Sequence, residues 1–236
     1  MQHAPELSAI VLGYRAGDSL LRVVAPLYDQ LNEAGIDFEL VIVANYWPDT
    51  GDRTPEIAAA FARGKDNVSI VARPKEGAMG WDMRSGLEAV HGTTLIVLDG
   101  DAQNPVEDVV TMFDLMKSTG YDVMKGRRTT RFDSLYRHVV SLAYNVLFRI
   151  LFRTRGLWDI NGKPKALTRS AYEQMNLVSD DWFIDAEIVL TARRLGLSVG
   201  EMPVVFRESE RASFVRFSAI GEFIRNMTLY RLTGRR

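Results

Sequence analysis

The residues best suited to chemistry stand in one stretch, Leu95-Ile96-Val97-Leu98-Asp99-Gly100-Asp101-Ala102-Gln103-Asn104-Pro105. Asp99 and Asp101 are one residue apart, and Gln103 adds a neutral oxygen. Few hard oxygen ligands with open positions suit Mg²⁺ or Mn²⁺ shared with a substrate phosphate. The apolar run before the acids, closed by Gly and Pro, reads as a buried parallel strand that stops at a loop. Ligands of open α/β sheets bind at that carboxyl end. Gly100 allows the sharp turn that lets both carboxylates face one point. A solvated turn rich in Asp and Gly is the competing reading of this stretch taken alone.

The elements that must position these acids follow from the chain order. Leu7 to Tyr14, Phe38 to Ala44, Val68 to Ala72 and the acidic-loop strand are apolar runs. Helical segments separate them: Leu20 to Ala34, with Asp18 or Ser19 as its cap and Gly35 as its stop, Thr54 to Arg63, and the segment opened by Gly77 and Gly80. A helix from Val106 to Ser118 and a strand from Val123 to Lys125 follow. Strands alternating with helices predict βαβ units and a mainly parallel sheet. Beyond Gly126, Ser134 to Phe152 is apolar nearly all round, broken by Arg137, His138, Asn145 and Arg149. A helix of this kind is buried, lies on a membrane or faces a second subunit. Gly162 to Thr168 reads as extended, Trp182 to Leu195 as helix, Val199 to Phe206 as strand, and Phe214 to Leu232 as a final amphipathic helix.

Composition narrows the chemistry. The 236 residues, 47% hydrophobic, suffice for one good core. With no Cys there is neither disulfide nor thiolate metal site, and three scattered His leave little room for zinc; none of the three is assigned a catalytic role. The net charge of -1 gives no argument for nucleic acid. No secretory signal and no uncharged apolar stretch of the ~20 residues needed to span a bilayer is present, so a cytoplasmic protein is expected. The basic segment Lys125, Arg127, Arg128, Arg131, Arg137 precedes the apolar helix. Forked guanidinium groups suit a phosphate or an anionic membrane surface; a solvated basic face is the alternative. Lys163 and Lys165 could reach a phosphate, or mark an exposed strand edge.

Several separate stretches, in order, resemble glycosyltransferase family 2, the inverting nucleotide-sugar transferases, and within it the dolichol-phosphate mannose synthase and polyprenyl-phosphate glycosyltransferase branch. They are Ile10 to Tyr14; Asp52-Arg53-Thr54; Gly77 and Gly80 before Arg84 and Gly86; Asp99 to Pro105; Asp122 with Gly126-Arg127-Arg128; Asp159 to Lys165; Trp182 to Glu187; and Glu201 to Val204. The resemblance implies a GT-A type nucleotide-binding sandwich, an α/β fold with a central, mostly parallel sheet flanked by helices and with C-terminal amphipathic helices. It implies a single glycosyltransferase domain over 1–236, with a nucleotide-binding half 1–125, an acceptor-side half 126–212 and an amphipathic helix 213–236.

The implied activity is inverting transfer of a sugar from a GDP- or UDP-sugar to a polyprenyl phosphate, by an enzyme peripheral on the inner face of the membrane. A saccharide or small alcohol acceptor, with the apolar helix as a homodimer surface, is the second reading, and a catalytically inactive sugar-nucleotide-binding protein the third. Carried over position by position, Asp99, Asp101 and Gln103 would hold Mg²⁺ or Mn²⁺. Tyr14, Asn45, Gly77, Gly80, Asp99 and Asp101 would line the nucleotide. Arg127, Arg128, Arg131 and Lys163 would meet the acceptor phosphate. Asp101, Asp185, Arg127 and Arg128 would be catalytic, with Asp185, joined by Glu187, beside the transferred sugar. The chain departs from the family at Ala44-Asn45, where two Asp are usual, at Trp81-Asp82, where a small residue is usual after Gly80, and at the tail Arg211-Ala212-Ser213-Phe214.

Overall fold

A computed structural model describes residues 4–131, 135–154, 156–207 and 218–233. Seven strands form one sheet in the order β3-β2-β1-β4-β6-β5-β7. The strands β1 (Leu7–Leu12), β2 (Phe38–Val43), β3 (Val68–Val71) and β4 (Thr94–Asp99) pair in parallel. β1, β2 and β4 are near-continuous apolar runs because helices cover both faces. On one face α1 (Leu21–Glu33), α2 (Thr54–Ala62) and α4 (Glu107–Thr119) bury Val23, Leu27, Leu31, Ala58, Met112 and Phe113. On the other, α3 (Met79–Glu88), α6 (Arg169–Met175) and α7 (Ile184–Arg194) bury Met83, Leu87, Met175, Ile184 and Ile188. A third cluster, built on Phe148, Phe183, Val189, Met227 and Tyr230, seats α5 (Leu135–Phe152) and α8 (Ser218–Thr233) against α7.

Register decides where the site opens. Leu12 lies level with Val43 on β2 and with Asp99 on β4, so the loops after these strands emerge at one edge. β6 (Lys165–Thr168) runs antiparallel between β4 and β5 (Val123–Arg131), and Lys165 is opposite both Val97 and Lys125. A reversed strand begins where its neighbours end, so Lys163 and Lys165 reach the same edge as Asp99. The reading of these lysines as an exposed edge is corrected: β6 is central and both are buried.

The elements otherwise differ from expectation in a few places. β5 runs to Arg131 because it pairs along its length with β7 (Val199–Phe206), through an irregularity between Arg128 and Thr130. Helix α6 was not expected; Thr168 Oγ1 caps it by accepting from the Ala171 amide at 3.2 Å. Asp18 and Ser19 lie inside a 3-10 helix, Gly17–Leu20, and α1 has no side-chain cap. Helix α5 buries only one side of its apolar surface. Phe148 is fully buried, whereas Leu142, Val146, Leu147 and Ile150 are exposed. The tail motif 211–214 lies outside the described residues.

One surface residue opposes the fold. Asp108, in the first turn of α4, has its Oδ2 buried without a hydrogen-bond partner, and burial with Glu107 alongside pushes its carboxyl up to about 6 against the pull of Arg207. The folded chain thus binds a proton that the unfolded chain has released, and stability falls as pH rises from about 4 through 6. Asp108→Asn is expected to stabilise the protein by about 1 kcal/mol above pH 6, after allowance for solvent, and not at all near pH 4. Thermal melts of both proteins at pH 4 and pH 7.5 check this: a Tm gain of roughly 3 °C at the higher pH alone is expected.

Candidate active site

The acidic loop is built by close backbone approach. Asp99 closes β4 with its side chain about one-third exposed. The Gly100 amide donates to the Leu12 carbonyl at 2.9 Å, and a Cβ at Gly100 would lie 2.9 Å from that same oxygen. No other residue fits there without moving β1. Asp101 Oδ1 accepts from the Gln103 amide at 3.0 Å, which folds the loop back, and Ala102 takes a left-handed φ of 60° inside the turn. Two side chains then fasten the loop. Asn104 Nδ2 donates to the Lys163 carbonyl at 2.8 Å, and Gln103 Nε2 to the Arg207 carbonyl at 3.1 Å.

Beside the loop runs a row of buried charges. Lys163 Nζ stands 3.7 Å from Asp99 Oδ1 and 3.2 Å from Asp185 Oδ2. Lys165 Nζ is 2.5 Å from Asp185 Oδ1. Farther along, Lys125 pairs with Glu201 and donates to the Asp159 carbonyl at 2.7 Å. Arg128 grips Asp159 with a two-pronged contact, 2.7 Å on each prong, and lies 5.0 Å from the Phe206 ring centre.

The titration of this row follows from its partners. Burial alone would raise the Asp185 carboxyl, but Lys163 and Lys165 reverse that and hold it below the ordinary carboxylate range. Burial pulls both lysines down. Lys163, flanked by Asp185 and Asp99, still ends above the ordinary value. Lys165 has only Asp185 to offset burial, with Lys163 and Lys125 against it, and falls to about 8. The two shifts differ in sign because Lys163 alone has a second carboxylate.

The residues named from sequence divide. Asp99, Asp101, Lys163 and Asp185 share one edge. Arg128 is committed to Asp159, Gln103 to Arg207, and Arg127 is half-buried on the same strand as Arg128. Arg131 ends β5, opposite Phe206. Glu187 turns away and accepts from the amides of Val178 and Ser179. Asn45 is fully buried; its Nδ2 donates to Asp82 and Ser85, and its Oδ1 accepts from the Arg73 amide. Both ends of its amide serve the fold, leaving nothing for a base. Asn45 thereby anchors a second cluster that the sequence does not signal: Asp82 pairs with Lys75, whose ammonium lies 4.4 Å from the Tyr14 ring centre. Gly77 and Gly80 let the start of α3 press on residues 179–181. A Cβ on Gly77 would sit 2.9 Å from that of Asp180, and one on Gly80 would meet the Ser179 and Asp181 carbonyls.

For a divalent ion, the fit rests on donor chemistry. Asp99 and Asp101 are hard-oxygen ligands on one short loop, and among the described residues no group of three or more His, Asp or Glu gathers around a point. A site of two carboxylates, completed by phosphate oxygens and water, is the pattern Mg²⁺ and Mn²⁺ accept.

Comparison with known proteins agrees with the geometry. The model of "Glycosyl transferase family 2" matches residues 8–175. The glycosyltransferase AglD of Haloferax volcanii is 27% identical over 208 residues, covering 84% of this chain and 32% of its own length. Dolichyl-phosphate beta-glucosyltransferase ALG5A of Trichomonas vaginalis is 25% identical over 216 residues, covering 86% of this chain and 66% of its own. The chain thus spans less than two thirds of these relatives. Glucosyl-3-phosphoglycerate synthase of Mycobacterium tuberculosis, solved with Mn²⁺, UDP and phosphoglyceric acid, superposes with a TM-score of 0.75 at 15% identity, over 97% of this chain and 79% of that one. At that identity the likeness speaks for the fold, a GT-A-like α/β sandwich.

Proposed function

The chain belongs to glycosyl transferase family 2, and on that premise we propose that it is an inverting transferase that moves a sugar from a nucleoside diphosphate sugar to a polyprenyl phosphate. The supporting observation is Asp185 between two ammonium groups. An alcohol acceptor needs a general base with a pKa near the working pH. Asp185 is pushed the other way and is a poor proton acceptor. A phosphate acceptor is already ionised and needs none. Its oxygen forms the new bond to the anomeric carbon on one face as the bond to the diphosphate breaks on the other, and the diphosphate keeps the electron pair. Asp185 then steadies the cationic sugar centre or orients a hydroxyl.

Asp99 and Asp101 are the residues we assign to Mg²⁺ or Mn²⁺, which when bound supplies Lewis-acid stabilisation of the leaving oxygens. Gln103 and Arg128, committed as described, are assigned to holding the loop and the strand, and Arg127 and Arg131 to the acceptor phosphate. UDP is the nucleotide favoured, because the superposed Mycobacterium synthase was solved with UDP and Mn²⁺, and in another structure with UDP and Mg²⁺. The relative from Trichomonas is named for dolichyl phosphate, which favours the lipid acceptor. Purified protein with Mn²⁺, UDP-glucose or GDP-mannose, and either a polyprenyl monophosphate or a free saccharide tests this. Sugar transfer to the phosphate, with inversion, is expected. Transfer to the saccharide alone would overturn the acceptor assignment.

The membrane-surface part of this reading rests on α5. Leu142, Val146, Leu147 and Ile150 form an exposed apolar stripe, with Arg149 stacked 3.9 Å from the Trp158 ring centre. Val146, Arg149, Ile150, Arg153 and Thr154 line a cavity of about 660 Å³. Apolar side chains with Trp and Arg at their border suit a helix lying in a bilayer interface. No described helix is long and apolar enough to cross a membrane. Ile150, 70% exposed, can be changed without touching the core. Ile150→Asp is expected to weaken co-sedimentation with anionic vesicles about tenfold, from lost apolar burial and added repulsion. Unchanged vesicle binding, with a dimer in solution that the variant breaks, would move this face to a second subunit.

A further inference from the structure

We infer that Lys165 is a positioning residue for transfer: from the buried side it holds Asp185 by Oδ1 and its own carbonyl, leaving Oδ2 turned toward Lys163 and the acidic loop. The inference rests on the reading of Asp185 as the carboxylate beside the transferred sugar.

The geometry is that of a clamp. An ammonium has three protons to donate. Lys165 Nζ reaches Asp185 Oδ1 at 2.5 Å, the Asp185 carbonyl at 3.3 Å and the Ile160 carbonyl at 3.2 Å. Two of the three acceptors belong to one residue, so both the backbone of the first turn of α7 and the side-chain rotamer of Asp185 are fixed from one point. The third ties in the segment that leads to Lys163. Lys165 itself is fully buried on β6, between β4 and β5.

Charge alone does not explain the residue. Asp185 already has Lys163 as a counter-ion and lies in the first turn of α7, where a helix favours an anion. Stability does not explain it either, since buried ion pairs are commonly matched or bettered by apolar groups of the same volume. What a second ammonium adds is direction. Without it the carboxylate could rotate to present either oxygen, or both, to Lys163.

The test is Lys165→Met, which keeps the stem and removes the donors. The expected result is a kcat lowered about 100-fold, the scale of a misplaced reacting group, with KM for donor and acceptor changed less than threefold and UDP binding with Mn²⁺ retained. In the double variant with Asp185→Asn the two losses should not add, because Lys165 acts through Asp185. Lys125→Met is the comparison: a buried lysine on the neighbouring strand that bonds Glu201 and the Asp159 carbonyl, expected to lower Tm without the selective kcat loss. A kcat within twofold of wild type for Lys165→Met, or losses that multiply in the double variant, would overturn the inference. Should Lys165→Met fail to fold, Lys165→Gln carries the same criteria, since its amide stops one bond short of the ammonium's position and cannot hold Asp185 from there. If Asp185→Asn alone transfers sugar normally, it is the reading of Asp185 that fails.

Discussion

Asp185→Asn is expected to reduce transfer by two to three orders of magnitude and to lower Tm by about 10 °C. Both effects come from one position. The side chain is 3% exposed and lies between Lys163 and Lys165. An amide of the same shape has no charge for either lysine, and one of its ends is a donor facing a donor. Removing one partner of a buried ion pair costs about 3–5 kcal/mol, because the other charge stays behind in a poor solvent. At 2–4 °C per kcal/mol for a domain of this size, roughly 10 °C follows. The catalytic loss is separate: a fixed negative charge at a developing cationic centre is the kind of preorganised interaction whose removal costs about 10²–10³ or more in rate.

The pH dependence separates these parts. The folded carboxyl lies below its unfolded value, so its stabilisation is complete above about pH 4 and is lost only as pH falls through the lower, folded value. The Tm gap between wild type and Asp185→Asn should therefore close below pH 4. At the alkaline end it should narrow as pH rises toward 8: without Asp185 the buried Lys165 gives up its proton at a lower pH than the wild type's value of about 8, so the variant sheds its stranded charge first. Differential scanning calorimetry across this range is the measurement. A gap that widens with acid would contradict the ion-pair account, and a turnover within tenfold of wild type would remove Asp185 from the reaction.

Sequence and structure agree best where backbone pattern alone decides. The parallel strands were legible because burial on both faces demands continuous apolar runs, as in Phe38 to Val43 and Thr94 to Leu98. The acidic loop was legible because Gly100 and the carboxylates sit within three residues. The charge row was not. Lys125, Lys165 and Glu201 come from three strands, and only the sheet order brings them together. A hint existed: Lys125 follows Val123-Met124 and Lys165 precedes Ala166-Leu167, so a cation in a central strand implied a buried anion. Trp81-Asp82 was noticed as a departure, yet its meaning needed the α3 geometry, which sets Asp82 against Asn45 and Lys75. Arg128 was ambiguous in the sequence because guanidinium groups suit phosphates and carboxylates alike, and in the fold it pairs with Asp159.

Asp101→Ala is expected to abolish the stabilisation that UDP and Mn²⁺ confer together, and with it measurable transfer, while the fold survives. Asp101 is partly exposed, and its Oδ1 accepts from the Gln103 amide at 3.0 Å, a bond worth about 1 kcal/mol. The loop keeps its other fastenings, Asn104 to Lys163 and Gln103 to Arg207. The chemical loss is large, because Asp99 is then the only carboxylate left on the loop and already faces Lys163 at 3.7 Å. A ligand that binds only the native state raises stability by about 2.7 kcal/mol at a hundred times its Kd, or roughly 8 °C here. Wild type should show this shift with UDP plus Mn²⁺ and far less with UDP in EDTA, and Asp101→Ala should show the smaller shift under both conditions. Asp101→Asn divides turn from charge, since its amide oxygen can still accept from Gln103 while its ligand strength falls. An Asn variant that matches Ala assigns the effect to the carboxylate. An Asn variant that behaves as wild type would mean that the shape of the loop, and no ion held by Asp101, carries donor binding.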